Sequence, residues 1–590
     1  MKKILLMMAI AALGLGACDE RPKPLTIDNA LTAEEIAAGR LTPEVMWKMG
    51  RAGSSSLSAD GSRLLYTVTH YNMAENRGVT AVYVQEMASG AVHQLTDFAS
   101  NNSSPAWSPD GSRIYFLSDR SGSSQVWVMD ADGGNATLVT GKGGSEGIPD
   151  VEGFGISPDG KHIWWVQGVQ PAGVAIRSSD RYKDMDKSKA RIYDDLMVRH
   201  WDYWDEGTYR HIFVGELGKG LVTSGRDIMP DAAWDAPLAP YFDMAEIAWN
   251  HAGTQLAYTC KPLTGTAYAV STDSDIFIYD LATGRTQNIC KPASRPAGET
   301  AAAGDMPGYD KYPVWSPDDS KIAFRSMRRA GNESDKERLF VYDCRTGRME
   351  DLTAEFDYNA MNVVWEGNDR LWFIAPIEAT HQICRVQVPS ATAEHPAAEV
   401  EVLTSGDHDI NAFTMGGGRI VAEMTKISMA TEFFDVNPED GRLTQISAIN
   451  KPIYDHIRMG EVQKRWVKTT DGKQMLTWVV LPPDFDPAKK YPVLLYCQGG
   501  PQSVVSQFWS YRWNLELIAS GGYVVVAPNR RGLPSFGQEW LDQISGDYSG
   551  QNIRDYLSAI DDVAGEPWAD ETRMGCVGAS YGGYSVFFLA

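Results

Sequence analysis

The chain has 590 residues, 43% of them hydrophobic and 10% aromatic, which is too long for one core and too apolar for a disordered chain. Acidic residues outnumber basic ones 76 to 54, a net charge of −22, and no Lys/Arg cluster stands out. That balance argues against nucleic acid or an anionic membrane surface as the main partner, whereas a cationic group such as a peptide amino terminus is electrostatically welcome.

Residues 1–18 read as an export signal: Lys2 and Lys3, an apolar run from Ile4 to Leu15, then small residues before Cys18. The run is too short to span a bilayer. Leu15-Gly16-Ala17-Cys18 resembles the lipobox of bacterial lipoproteins, in which the cysteine is lipidated and becomes the first residue of the mature chain. An ordinary cleaved signal with an incidental cysteine is the alternative. On the lipobox reading the protein belongs to the cell envelope, facing the periplasm or the surface, and touches the membrane only through a lipid on Cys18. Residues 19–50 form a linker with a helix.

From residue 51 to 450 a repeat dominates. A polar turn followed by an apolar strand recurs as Leu57-Ser-Ala-Asp-Gly61, Trp107-Ser-Pro-Asp-Gly111, Ile156-Ser-Pro-Asp-Gly160, Trp249-Asn-His-Ala-Gly253, Trp315-Ser-Pro-Asp-Asp319, Trp365-Glu-Gly-Asn-Asp369 and, weakly, Met415-Gly-Gly-Gly418: seven units. Each carries a second half, such as Leu339-Phe-Val-Tyr-Asp343 before Thr346-Gly347, in which alternation marks strands with one buried face. Four short strands per unit of about fifty residues is the pattern of a β-propeller blade. The interval from Ile156 to Trp249 is 93 residues, and the excess, around Asp180 to Gly207, reads as an insertion leaving blade 3. Insertions on repeats often reach a ligand, so Asp205 or Glu206 is a candidate partner for a substrate ammonium; a solvated charged excursion is the competing reading. Cys260, Cys290, Cys344, Cys384, Cys497 and Cys576 fit neither a disulfide scaffold nor a CxxC metal site, although Cys260 and Cys290 could pair.

After about Lys451, α/β alternation takes over through residue 590. Val462 to Thr469 and Met475 to Leu481 flank an Asp471-Gly472 hairpin. Buried strands follow at Tyr491 to Tyr496, Tyr523 to Pro528 and Met574 to Val577, with helices expected over Arg512 to Ser520 and Gln551 to Val563. The last strand enters Gly578-Ala-Ser-Tyr-Gly-Gly583. A Gly-x-Ser-x-Gly between a buried strand and a helix is a nucleophile elbow, which makes Ser580 the candidate catalytic nucleophile of an α/β-hydrolase. The backbone N–H of Tyr581 and the glycine loop Gly499-Gly500 are the candidate oxyanion donors. A base is not visible: in this fold Asp or Glu and then His follow the serine, and residues 581–590 contain none of them. With an apolar helix stripe still running at Ala590, the hydrolase domain is expected to be truncated after its elbow and inactive as it stands.

Gln498-Gly-Gly-Pro-Gln502, Tyr511-Arg-Trp-Asn514, Ala527-Pro-Asn-Arg-Arg-Gly532 and Gly578-Ala-Ser-Tyr-Gly-Gly583, preceded by an exported propeller, resemble the prolyl oligopeptidase family of serine peptidases. Within it they look most like the dipeptidyl peptidase V and acylaminoacyl-peptidase branch, particularly envelope proteins of Bacteroides-like bacteria. The resemblance implies a peptidase that acts on short peptides, releases N-terminal dipeptides through an acyl-enzyme on Ser580, and holds the oxyanion on the Gly500 and Tyr581 amides. It suggests no metal and no organic cofactor. Gln498 departs from the pattern: that branch often has His here, and the dipeptidyl peptidase IV branch a Tyr. A carboxylester hydrolase with the same elbow, or a non-catalytic envelope propeller, are the competing functions; peptide length, exo- versus endopeptidase action and oligomeric state stay open.

Overall fold

The structure, a computed structural model, describes residues 23–142, 147–291, 306–389 and 399–590. The export and lipidation readings, Cys18 included, fall outside them. Among the described residues no helix is long and apolar enough to cross a membrane.

Residues 51–445 fold into seven four-stranded antiparallel blades, over 51–94, 102–138, 153–227, 247–288, 310–351, 361–402 and 409–445. The recurring Ser-Pro-Asp-Gly owes its persistence to one turn. In blade 2 the Asp110 carboxylate accepts from the Ser108 hydroxyl (2.6 Å) and from both the N–H (3.1 Å) and hydroxyl (2.8 Å) of Ser112, while Ser108 Oγ accepts the Arg113 N–H (2.9 Å). These donors hold the Asp110 carboxyl down at about 2. In blades 2, 4 and 6 the tryptophan before the turn ties the blade to the one before it: Trp107 Nε1 donates to Ser56 O (3.2 Å), Trp249 to Gly155 O (3.0 Å) and Trp365 to Val314 O (3.0 Å). Blade 1 meets blade 7 where the Leu57 N–H donates to Thr414 Oγ1 (3.1 Å) and Leu64 and Tyr66 pack on Val421 and Phe433, closing the ring. The extra length of blade 3 lies between its second and third strands, His162–Val169 and Tyr209–Glu216, and includes a two-residue hairpin pairing Arg199–His200 with Tyr203–Trp204. Cys260 and Cys290 are buried and unpaired, as are the other described cysteines in bonding terms.

The hydrolase part holds five strands: β1 Val462–Lys468, β2 Gln474–Val480, β3 Tyr491–Cys497, β4 Val524–Pro528 and β5 Ala569–Gly578. Their order in the sheet is β1-β2-β4-β3-β5, with β4, β3 and β5 parallel. The parallel strands require crossovers, supplied by helices α1 Leu515–Ser520 and α2 Gln551–Ala564; α3 Tyr581–Leu589 follows β5. Helix α1 begins three residues later than the sequence suggests, because Asn514 caps it: its Oδ1 accepts the Leu517 N–H at 2.8 Å. A short helix over Gln538–Asp542 has no clear apolar stripe to announce it.

Side-chain contacts from blades 5, 6 and 7 dock this part onto the propeller. Arg329 pairs with Asp542 through two bonds (2.9 and 2.8 Å), the Ala379 N–H donates to Ser535 Oγ (2.8 Å), and Asp409 accepts from the Ser506 hydroxyl (2.5 Å) and the Gln507 N–H (3.2 Å). The last of these lie on the segment that follows the glycine loop, so the propeller helps to set that loop's position.

Candidate active site

Ser580 occupies the turn between β5 and α3 with φ 56° and ψ −125°, a region that side chains rarely adopt, and it is exposed. The strain is tolerated because the turn is gripped on both sides. A Cβ on Gly578 would stand 2.6 Å from Cys497 O, and one on Gly582 2.1 Å from the same oxygen. Only glycine at both positions lets the elbow press against the end of β3. Tyr581 opens α3, and its N–H has no carbonyl of the helix behind it to bond, whereas the next one, Gly582 N–H, donates to Ala579 O (2.8 Å). Its side chain anchors the helix start: the hydroxyl donates to Tyr548 O (2.8 Å) and receives the Asn552 amide, and the ring lies 4.6 Å from the Arg530 guanidinium.

The glycine loop runs beside the elbow. A Cβ on Gly499 would lie 3.7 Å from Ser580 Cβ, and Gly500 has φ 118°, out of reach of ordinary side chains. Gln498 is occupied within its own loop, accepting from the Tyr496 hydroxyl (2.7 Å) and donating to Ser503 Oγ (3.2 Å).

Two residues after β4 fix this loop, and the sequence alone announces a role for neither. Arg530, 0% exposed, donates to Gln498 O (3.3 Å) and Pro501 O (3.1 Å) on either side of the glycines, to Arg531 O (2.8 Å) and to the Tyr556 hydroxyl (3.1 Å). Asn529 exchanges two 3.0 Å bonds with the backbone of Val505. Both sit in Ala527-Pro-Asn-Arg-Arg-Gly532, where the signal was present as a motif without a mechanism.

Gly500 and Gln502 also line a cavity of about 1270 Å³ whose other walls come from the propeller: the blade 3 insertion with His200, Tyr203, Trp204, Asp205 and Glu206, and blades 4 and 5 with Lys261, Tyr309 and Glu333. Asp205 and Glu206 thus share a cavity with the glycine loop. Their chemistry differs. Glu206 is engaged by Arg191 and lies 3.7 Å from Arg177, whereas Asp205 Oδ1 accepts only the Gly207 N–H (2.7 Å). Asp235, on the same wall, is pushed up to about 6 by burial, and burial draws Lys261 down to about 8. The described histidines with ring partners meet groups away from the elbow: His70 bonds Asn29 of the N-terminal segment, His211 and His251 bond Asp227 and Asp319, and His381 lies 3.3 Å from Asp409.

Known proteins share this arrangement. A TolB beta propeller domain model matches residues 29–191, and a prolyl oligopeptidase family model matches 509–590. Dipeptidyl-peptidase 5 of Porphyromonas gingivalis is 40% identical over 590 residues, covering 100% of this chain and 80% of its own length. Dipeptidyl-peptidase 5 of Porphyromonas endodontalis is 36% identical over 564 residues, 95% of this chain and 77% of its own. Among solved structures, Pyrococcus horikoshii acylaminoacyl peptidase superposes with a TM-score of 0.72 at 18% identity, over 93% of this chain and 76% of that one, a likeness of fold.

Proposed function

Because the chain belongs to the prolyl oligopeptidase family of serine peptidases, we propose that Ser580 is its nucleophile and that it releases dipeptides from the amino termini of short peptides. The observation that carries this reading is the pairing of a strained, exposed serine at a helix start with a glycine loop whose backbone passes beside it. In this role the Ser580 hydroxyl attacks the scissile carbonyl, the N–H groups of Gly500 and Tyr581 receive the developing oxyanion, and water later releases the acyl group. Arg530 holds the loop in position without touching substrate. The names of the Porphyromonas relatives support dipeptide release. In the cavity Asp205, its charge not offset by arginine, is the better candidate of the two acids for the substrate's ammonium, and Tyr203 and Trp204 offer faces to apolar side chains.

The proton acceptor belongs to the same proposal. In the family order an Asp or Glu and then a His follow the nucleophile along the chain, and a histidine in that place would take the Ser580 proton and return it to the leaving amine. Export and a lipid on Cys18 would set the activity in the cell envelope, where short peptides are the substrates in reach.

A substrate panel tests the reading: dipeptidyl amides, aminoacyl amides and simple esters offered to the protein as expressed from its gene. Preference for dipeptidyl amides with a free amino terminus is expected, and Asp205→Asn should raise KM for them more than it lowers kcat. Turnover of esters alone would reject the peptidase assignment.

A further inference from the structure

Most blades repeat one polar device where the third and fourth strands meet. A hydroxyl accepts an N–H from the third strand at Thr96 (2.9 Å), Thr140 (2.9 Å), Thr353 (2.8 Å), Thr404 (2.8 Å) and Ser447 (2.7 Å), in blades 1, 2, 5, 6 and 7. In blades 2 and 6 that hydroxyl also donates to a glutamine, Gln125 or Gln382, at 2.8 Å. Blade 4 departs from the pattern. Cys290 stands in the hydroxyl's place, accepting the Ile276 N–H at 3.4 Å, and Asp275 stands in the glutamine's.

A second departure faces the first. Blade 2 begins with Asn102, whose Oδ1 accepts the Ser118 hydroxyl (3.0 Å) while its Nδ2 donates to Ser100 O (2.7 Å). Blade 5 begins with Asp310, paired in the ladder with Ser326 just as Asn102 is with Ser118. A carboxylate has no N–H to give, so the donor half of the device is gone.

These substitutions converge on one point. Ligand atoms of Asp275, Cys290 and Asp310 lie within 4.8 Å of one another, and the three residues are 1%, 8% and 0% exposed. Both oxygens of Asp310 and Oδ1 of Asp275 are buried without a hydrogen-bond partner; the other Asp275 oxygen is taken by Lys291 (2.9 Å) and Asn288 (2.7 Å). Buried carboxylate oxygens left unpaired are costly; the Ser326 hydroxyl opposite Asp310 can relieve one of them, and the rest need a proton or a cation. A proton relieves one carboxylate and leaves the other oxygen of the pair and the thiol as they are. A divalent ion bears on all three groups at once, meeting two carboxylates and a thiolate beside Lys291, whose single charge is shared with Asp273 (2.7 Å).

We propose that Asp275, Cys290 and Asp310 form a structural binding site for a thiophilic divalent cation, zinc by class, that ties blade 4 to blade 5. The thiolate and the small number of oxygens favour zinc over calcium or magnesium, which take six or more oxygens or keep several waters. Because the site lies inside the propeller, it loads as the blades close.

Producing the chain in zinc-supplemented medium, dialysing it against metal-free buffer and measuring bound metal and Tm tests the site. Roughly one zinc per chain is expected, together with a thiolate charge-transfer band when cobalt replaces zinc during growth. Asp310→Asn restores the blade 2 arrangement and should fold, with no bound zinc, no such band and a Tm indifferent to zinc; Cys290→Ser should lose the band and the metal. Folded wild-type protein free of zinc under these conditions would overturn the proposal and leave a proton on Asp310. Equal zinc in wild type and Asp310→Asn would overturn it too, placing the metal elsewhere.

Discussion

The propeller and the hydrolase part are stabilised by different kinds of contact. In the propeller the same turn recurs in several blades and the tryptophan tie in blades 2, 4 and 6, each built from residues a few positions apart or one repeat away. In the hydrolase part single contacts, with no second copy, carry the geometry: Gly582 against Cys497 O, and Arg530 across the glycine loop. Redundancy should make the first region forgiving, and uniqueness should make the second brittle.

The sharpest break in that contrast is expected at Gly582→Ala. Its methyl carbon would have to sit 2.1 Å from a backbone oxygen that cannot move without shifting β3, so the hydrolase part should lose ~3 kcal/mol or more. Denaturation followed by two probes, one in each region, should show the propeller transition unmoved; a shared shift would mean that the two regions unfold as one.

Arg530→Met comes next. It leaves the carbonyl of Pro501 without its donor and that of Gln498 with only the long bond from the Tyr556 hydroxyl (3.5 Å), a loss of about 2 kcal/mol, and loosens the loop that presents Gly500. In the active protein kcat should fall roughly ten- to a hundredfold with KM little changed, the mark of a contact that matters in the transition state. A change confined to KM would count against a positioning role.

Acid and base then separate the two regions more gently. Glu516 at the start of α1 is 0% exposed; burial pushes its carboxyl up to about 7, although it accepts the Gly460 N–H. A carboxyl with a raised folded pKa stabilises the fold below its unfolded value and loses that contribution as pH rises through about 7. Hydrolase stability should therefore decline between pH ~4.5 and 7, and Glu516→Gln should flatten the decline.

Asp110 has the opposite sign. Held at about 2 by the hydroxyl of Ser108 and by Ser112, it contributes above its unfolded value and ceases to as pH falls through about 2. Asp110→Asn should produce the smallest effect of the series, a small loss of Tm at neutral pH together with a weaker dependence of Tm on pH in that acidic range. A large loss at neutral pH would refute the idea that one blade turn is buffered by its neighbours.

The same contrast governs what could be read from the sequence. Seven blades were legible because Trp107-Ser-Pro-Asp-Gly111 and its copies state their own hydrogen bonds within a few residues. The elbow was legible because Gly578, Ser580 and Gly582 must lie together in the chain as well as in space. Helix α1 was placed early at Arg512, since nothing local shows that Asn514 turns its side chain into a cap. The role of Arg530 is not legible locally, because its partners, Gln498 and Pro501, lie about thirty residues away across the sheet. That Glu206 would be occupied by Arg191 and Arg177 depended on how the blade 3 insertion folds back on itself. The meeting of Cys290 with Asp310 needed the register of two blades before it meant anything.

Labelling the protein expressed from its gene with a fluorophosphonate, followed by peptide mapping, measures the assignment of the nucleophile most directly. Covalent label on the peptide carrying Ser580, together with a loss of dipeptidyl-amide hydrolysis of at least about a thousandfold in Ser580→Ala, is the expected result. Label on a different serine, or amide hydrolysis that survives Ser580→Ala, would contradict it.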